Sequence, residues 1–194
     1  MQLLRMFSND NYKGTKNYLK SQKKYEIMRT VIYFAISLTL FVAGWVHTGS
    51  RENLLTIVAV LGCLPACKST VDMIMFLRYA GCKPEHADAI EPHREGLTDL
   101  YDLVFTAYDK NYRVSHMTVR GNTICGFTDD DKMDEQAFYK HLDALLKKDN
   151  FKDTSIKIFK DIKKYTDRME QLKALPAEEN LTHGIIATLK SVSL

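Results

Sequence analysis

Three residues in the C-terminal half have the side chains of an acid, a base and a nucleophile: Asp102, His116 and Cys125. If the segments carrying His116 and Cys125 pair as neighbouring strands, imidazole and thiol meet as a base–nucleophile couple. The competing expectation is a core histidine with its hydrogen bonds made and a core thiol, because small soft side chains fill interiors more often than they react.

Lys68 and Asp72, four residues apart within an apolar segment, form a second candidate group. Ionisable side chains at membrane depth mark conduction or proton paths. An i,i+4 pair near a headgroup layer also lets a lysine reach outward along its methylene stem. Pro65, three residues before Lys68, lacks a backbone N–H and is expected to kink its helix. Cys63 and Cys67 stack at i,i+4 as two soft ligands without a third. Cys82, His86 and His93 follow a C-x3-H-x6-H spacing that matches no standard zinc site. Asp129, Asp130 and Asp131 lack the glycine and distal glutamate of a calcium loop and are expected to cap the helix after them. No metal or cofactor is expected.

These residues are positioned by two different kinds of element. Residues 30–49 form a stretch of twenty without Asp, Glu, Lys or Arg. At about 1.5 Å per residue it spans a hydrocarbon core of roughly 30 Å. A second apolar run extends from Leu54 to the neighbourhood of Tyr79, after the short turn HTGSREN. The two predict a transmembrane helical hairpin over residues 30–80. Lys68 and Asp72 then lie about 21 and 27 Å along the second helix. Ala59, Gly62, Cys63, Ala66 and Cys67 give that helix a face of small side chains for close packing, either on the first helix or on a second copy.

Charge sets the expected direction. Residues 1–81 hold ten Lys/Arg against four Asp/Glu, residues 82–194 seventeen against twenty, so +6 and −3 make up the net +3. Lys13, Lys16, Lys20, Lys23, Lys24 and Arg29 precede the first helix, and a basic arm over residues 1–29 is expected on anionic headgroups, with both termini cytoplasmic. The net-negative remainder excludes a general nucleic-acid binder. The four cysteines lack the density of a secreted disulfide scaffold.

After a proline- and charge-rich connector at 81–96, the pattern becomes that of a soluble α+β domain over 97–194. Alternating runs at 101–108, 112–119 and 122–128 predict an antiparallel meander, with RGN at 120–122 as a tight turn. Helical spacing follows at 134–148, a strand at 154–161 and a helix at 162–175, stopped by Pro176. The tail suggests a final strand or a short helix. Lys157, Lys160, Lys163 and Lys164 mark a solvated or lipid-facing side.

With a helix near 85–97 in front, the order β-β-β-α-β-α resembles the αβββαβ core of restriction-endonuclease-like folds. That resemblance, in element order over about half the chain, implies an Asp and a Glu-x-Lys on neighbouring strands holding a divalent metal. The strands read RVSHMTVRG and NTICGFT instead, and Asp102 is the single carboxylate in the three expected strands.

The expected function is therefore non-enzymatic: a multi-pass cell-membrane protein, self-associating in the bilayer, that offers a small cytoplasmic domain to a protein partner. The alternatives are a membrane-tethered hydrolase or degenerate endonuclease-like enzyme, and a small oligomeric channel or transporter.

Overall fold

The computed structural model describes residues 12–108 and 110–194, so residues 1–11 of the expected basic arm, and Asp109 in the loop between the first two strands, lie outside the described residues. The chain divides into two compact units.

The first unit carries α1 (Tyr18–Thr48) and α2 (Leu54–Arg78), both long and apolar enough to cross a membrane by length and composition. Only 17% of each apolar window is buried, unlike the core helix of a water-soluble domain. Val31, Leu38, Val46, Leu54, Val60 and Leu64 are exposed side chains of this kind, and together they make a surface suited to lipid. Asn53 caps α2 by accepting the Thr56 N–H at 2.9 Å.

Ala59, Ala66 and Ser69 are buried along one side of α2, the side that meets α1. At Gly62 a Cβ would sit 2.9 Å from the Ser37 hydroxyl, so a larger residue there would have to displace that side chain. The small face is thus used inside the hairpin, and Cys67 is turned outward. The helix runs on through Pro65, which is exposed. Its missing N–H leaves the Leu61 carbonyl without a helical donor.

Arg29 differs from the headgroup-facing role expected of it. Its guanidinium is only 17% exposed and reaches across to α2, donating to Ser69 Oγ at 3.2 Å and Asp72 Oδ2 at 3.1 Å, and it also pairs with Glu26 on its own helix. Asp72 is shared with Lys68 at 3.4 Å, and the Thr30 and Ser69 hydroxyls meet at 2.8 Å. The closer partner of Asp72 is an arginine on the other helix. Lys20 and Lys24 are exposed and Lys23 half-buried on the first turns of α1, which begins at Tyr18, twelve residues before the uncharged stretch.

The second unit comprises residues 12–18 and 81–194 among those described. It contains α3 (Pro84–Ile90) with a 3₁₀ turn (Glu91–His93), β1 (Thr98–Thr106), β2 (Asn111–Arg120), β3 (Thr123–Phe127), α4 (Glu135–Lys148), β4 (Ser155–Phe159), α5 (Ile162–Lys173) and α6 (Glu179–Val192). The sheet order is β1-β2-β3-β4, antiparallel except for the parallel β3–β4 pair, whose crossover is α4. Gly121 turns the β2–β3 hairpin with φ +56°. The tail forms α6, not a strand, because Ile185, Ile186 and Leu189 recur at helical spacing and bury against the sheet; beyond the helix Ser193 bridges to Phe105.

Helices cover both sheet faces. On one, α4 and α6 bring Phe138, Leu142, Leu146, Ile185 and Leu189 onto Leu103, Phe105, Val114, Met117 and Ile124. On the other, Ile90 of α3 and Tyr165, Met169 and Leu172 of α5 cover Cys125 and Phe127.

Lys13 and Lys16, expected among lipid headgroups, belong to this unit. The Lys13 ammonium donates to the carbonyls of Ser193 at 2.9 Å and Lys190 at 3.2 Å, satisfying the electronegative end of α6. Lys16 pairs with Glu91 at 3.1 Å and Asp88 at 3.7 Å. Between them Gly14, at φ +81°, accepts the Tyr101 N–H at 2.8 Å.

Candidate functional site

The α5-covered face of the sheet holds the polar side chains of the domain, and a backbone irregularity puts them there. Strand side chains alternate between faces, yet Leu100 and Leu103 share the α4/α6 face, as do Val114 and Met117 on the paired strand. Asp102, with φ 57°, interrupts the alternation where the ladder passes from the Tyr101–His116 pair to the Leu103–Val114 pair. Tyr101 with Asp102, and Ser115 with His116, thus point consecutively to the same side. Aspartate is one of the few residues that visits this left-handed region at modest cost.

His116 is fully buried in the centre of this face. Its Nε2 lies 2.8 Å from Asp99 Oδ2 and its Nδ1 2.7 Å from the Tyr165 hydroxyl, which Thr118 Oγ1 meets at 2.9 Å. Arg94 binds the same carboxylate with Nε at 2.6 Å and a second nitrogen at 3.2 Å. Burial holds His116 below its ordinary pKa despite Asp99, so the ring is neutral near pH 7. The assignment that satisfies every atom is then Thr118 O–H to Tyr165, Tyr165 O–H to Nδ1, and Nε2–H to Asp99. Burial opposes ionisation of Asp99, but the hydrogen bonds from His116 and Arg94 outweigh it and keep the carboxyl below its usual range. Burial keeps Tyr165 protonated well above the usual phenol range.

A second group sits beside it. The Asp129 side chain is fully buried and binds His86 Nδ1 through one oxygen and the Ser115 hydroxyl, at 2.9 Å, through the other. His86 keeps 26% of its side chain exposed and stands edge-on to Phe127. In a hydrolytic triad the nucleophile sits on the far nitrogen of the histidine; here the serine is on the carboxylate. The arrangement fastens α3 to the sheet.

The expected set of Asp102, His116 and Cys125 does not converge. Asp102 Oδ1 accepts the Cys82 N–H at 2.7 Å and holds the connector. Cys125 lies opposite Thr118 in the β2–β3 ladder, and both hydrogen bonds of His116 go elsewhere. Burial raises the Cys125 thiol and pushes Cys82, with Asp129 and Asp102 adding to the effect, up to about 12, so neither is a thiolate at neutral pH. Cys82, His86 and His93 point to three partners, with His93 reaching Glu170 at 2.6 Å. Among the described residues no group of three His, Cys, Asp or Glu side chains is placed to hold a metal.

Asp129, Asp130 and Asp131 do not cap α4; Asp134 does, accepting the Ala137 N–H at 3.0 Å. The residues that sequence reasoning missed are Asp99 and Tyr165, and Asp129, expected as a cap, instead holds His86 and Ser115. β1 begins at Thr98, three residues before its expected start, and so takes in Asp99 as a second strand carboxylate. Tyr165 reads as one more member of the apolar stripe of α5, and its hydroxyl is the only signal of another role.

No protein-family model, curated protein or solved structure matches the chain.

Proposed function

We propose that this chain is a membrane-anchored docking protein: the hairpin crosses the cell membrane with both termini on the cytoplasmic side, and the α+β domain binds a protein partner. The observation that carries this reading is that the reactive side chains of the domain are consumed by one another. Arg94, Asp99, His116, Tyr165 and Thr118 form one hydrogen-bonded chain, which Arg94 extends to Glu91, and His86, Asp129 and Ser115 another; the first unit offers two helices with exposed apolar surfaces. Groups committed in this way hold a surface in shape without turning over a substrate.

The orientation rests on Lys20, Lys23 and Lys24 before the uncharged stretch, against Arg51 and Glu52 in the turn. A membrane-impermeant thiol reagent on intact cells should label Ser50→Cys and leave Lys152→Cys unlabelled. The reverse pattern overturns the orientation, and release of the chain by alkaline carbonate overturns the anchor. Cross-linking in native membranes should trap a partner; a monomer alone removes the docking reading. A second copy of the chain would have to meet the face of Val60, Leu64 and Cys67, and a Cys67–Cys67 cross-link would report it.

The second reading is a membrane-tethered hydrolase, favoured by one observation: His86 is part-exposed and fixed through Nδ1 by a buried carboxylate. Hydrolysis of ester or phosphoester reporters that disappears in His86→Ala would establish it in place of docking.

A further inference from the structure

The two edges of the sheet are treated differently. Along β1, Tyr101 donates to Gly14, the Leu194 N–H reaches Val104 O at 2.9 Å, Ser193 bridges to Phe105, and Lys13 ties the two flanking segments together through the Ser193 carbonyl. Covering an edge in this way blocks the addition of a foreign strand.

β4 has no such cover. Its Ser155 N–H goes to Asn122 O and its Phe159 carbonyl receives the Thr128 N–H, so residues 155, 157 and 159 address β3. By strand alternation the N–H and C=O groups of Ile156 and Ile158 point away from β3, and no partner for them occurs among the described residues. Against this edge lies a groove of about 380 Å³, lined by Ile156, Lys157 and Ile158 on the strand and by Glu135, Gln136, Tyr139 and Lys140 on α4. Tyr139 is an exposed large aromatic on that wall.

We propose that β4 is the docking edge of the domain and that its occupant is an extended segment of a partner protein with apolar and acidic residues in alternation. The inference rests on the docking reading above. Four open backbone groups supply main-chain affinity, and the groove receives every second side chain. The residues between face Lys157, which is exposed and makes no ion pair among the described residues; Lys140 lies on the groove wall, and Lys160 at the end of the strand already holds Glu135 at 3.6 Å. Charge also disfavours a second copy of this chain: two β4 strands pairing antiparallel about their centre would set Lys157 directly against Lys157.

The test uses the full chain in detergent and two labelled hexapeptides, (Val-Glu)3 and (Val-Lys)3. The expected result is saturable binding of (Val-Glu)3 alone, with new amide-exchange protection at Ile156 and Ile158 and no change at Lys157 or Phe159. Lys157→Glu should weaken binding several-fold, and Ile156→Pro, which removes one outward donor, about tenfold with the circular dichroism spectrum unchanged. Equal binding of both peptides overturns the proposal, as does protection elsewhere, or a concentration-dependent dimer protected at the same amides. Binding of phosphatidylserine vesicles through Lys157 with neither peptide bound also overturns it, in favour of a lipid-facing edge. If the peptides fail while cross-linking in membranes still traps a partner, docking stands and the β4 assignment falls.

Discussion

The two faces of the sheet obey different rules. The α4/α6 face is dry: Phe138 packs between Phe105 and Tyr112 with ring centroids 5.4 and 5.2 Å away, and Leu142, Leu146, Ile185 and Leu189 extend the same apolar layer. The α5 face is built around a histidine that reaches an aspartate and a tyrosine. On the first face any apolar side chain of suitable volume serves. On the second the Tyr165 hydroxyl and the Asp99 carboxylate are each shared by two neighbours, and removing a member leaves a buried neighbour short of a hydrogen bond. The apolar face supplies bulk stability; the polar face specifies register and holds α5 at one position on β2.

Mutations that sharpen this contrast are ordered by size. Phe138→Ala should cost about 3–5 kcal/mol, read as a lowered urea midpoint of the full chain in detergent with unchanged slope. A loss under 1 kcal/mol would mean that the dry face is not close-packed. Asp99→Ala should cost about 2–3 kcal/mol, since it leaves the buried His116 Nε2–H without its acceptor and Arg94 with Glu91 alone. His116→Leu combined with Tyr165→Phe should cost less than the two single changes added, with a coupling of about 1–2 kcal/mol, because each single change orphans the other partner. Exact additivity would break the comparison.

The pH response separates the faces as well. Burial depresses the His116 pKa from 6.5, so between that value and the lower folded one the unfolded chain binds a proton that the folded chain does not. Stability should therefore fall as pH drops below about 6.5. Asp99, also depressed, adds a further loss as pH falls below 3.8. His116→Leu should flatten the upper part of this slope, whereas Phe138→Ala should keep the wild-type slope at a lower level. Thr118→Val is the smallest change, about 1 kcal/mol for one hydroxyl, with no effect on the pH profile.

Much of the architecture was legible because its signals are local. The uncharged run at 30–49 contains its own reason for being apolar and helical. The strands and α4 and α5 fall within three residues of their expected bounds, since a period of two or of 3.6 is written into neighbouring residues. The site was less legible. Asp102, His116 and Cys125 were singled out by residue type, but type does not say which way a strand turns its side chains. The left-handed backbone at Asp102 changed that direction for the residues on either side.

The sequence by itself determined two membrane-competent helices, their basic flank, and a domain of alternating strands and amphipathic helices, because hydrophobic burial acts on patterns a few residues long. Only the tertiary structure decided that His116 meets Asp99, 17 positions away, and Tyr165, 49 away, that Arg29 crosses 43 positions to Asp72, and that Lys13 closes on the end of α6. Hydrogen bonds and ion pairs act over about 3 Å, and which groups come that close is set by the packing of whole elements.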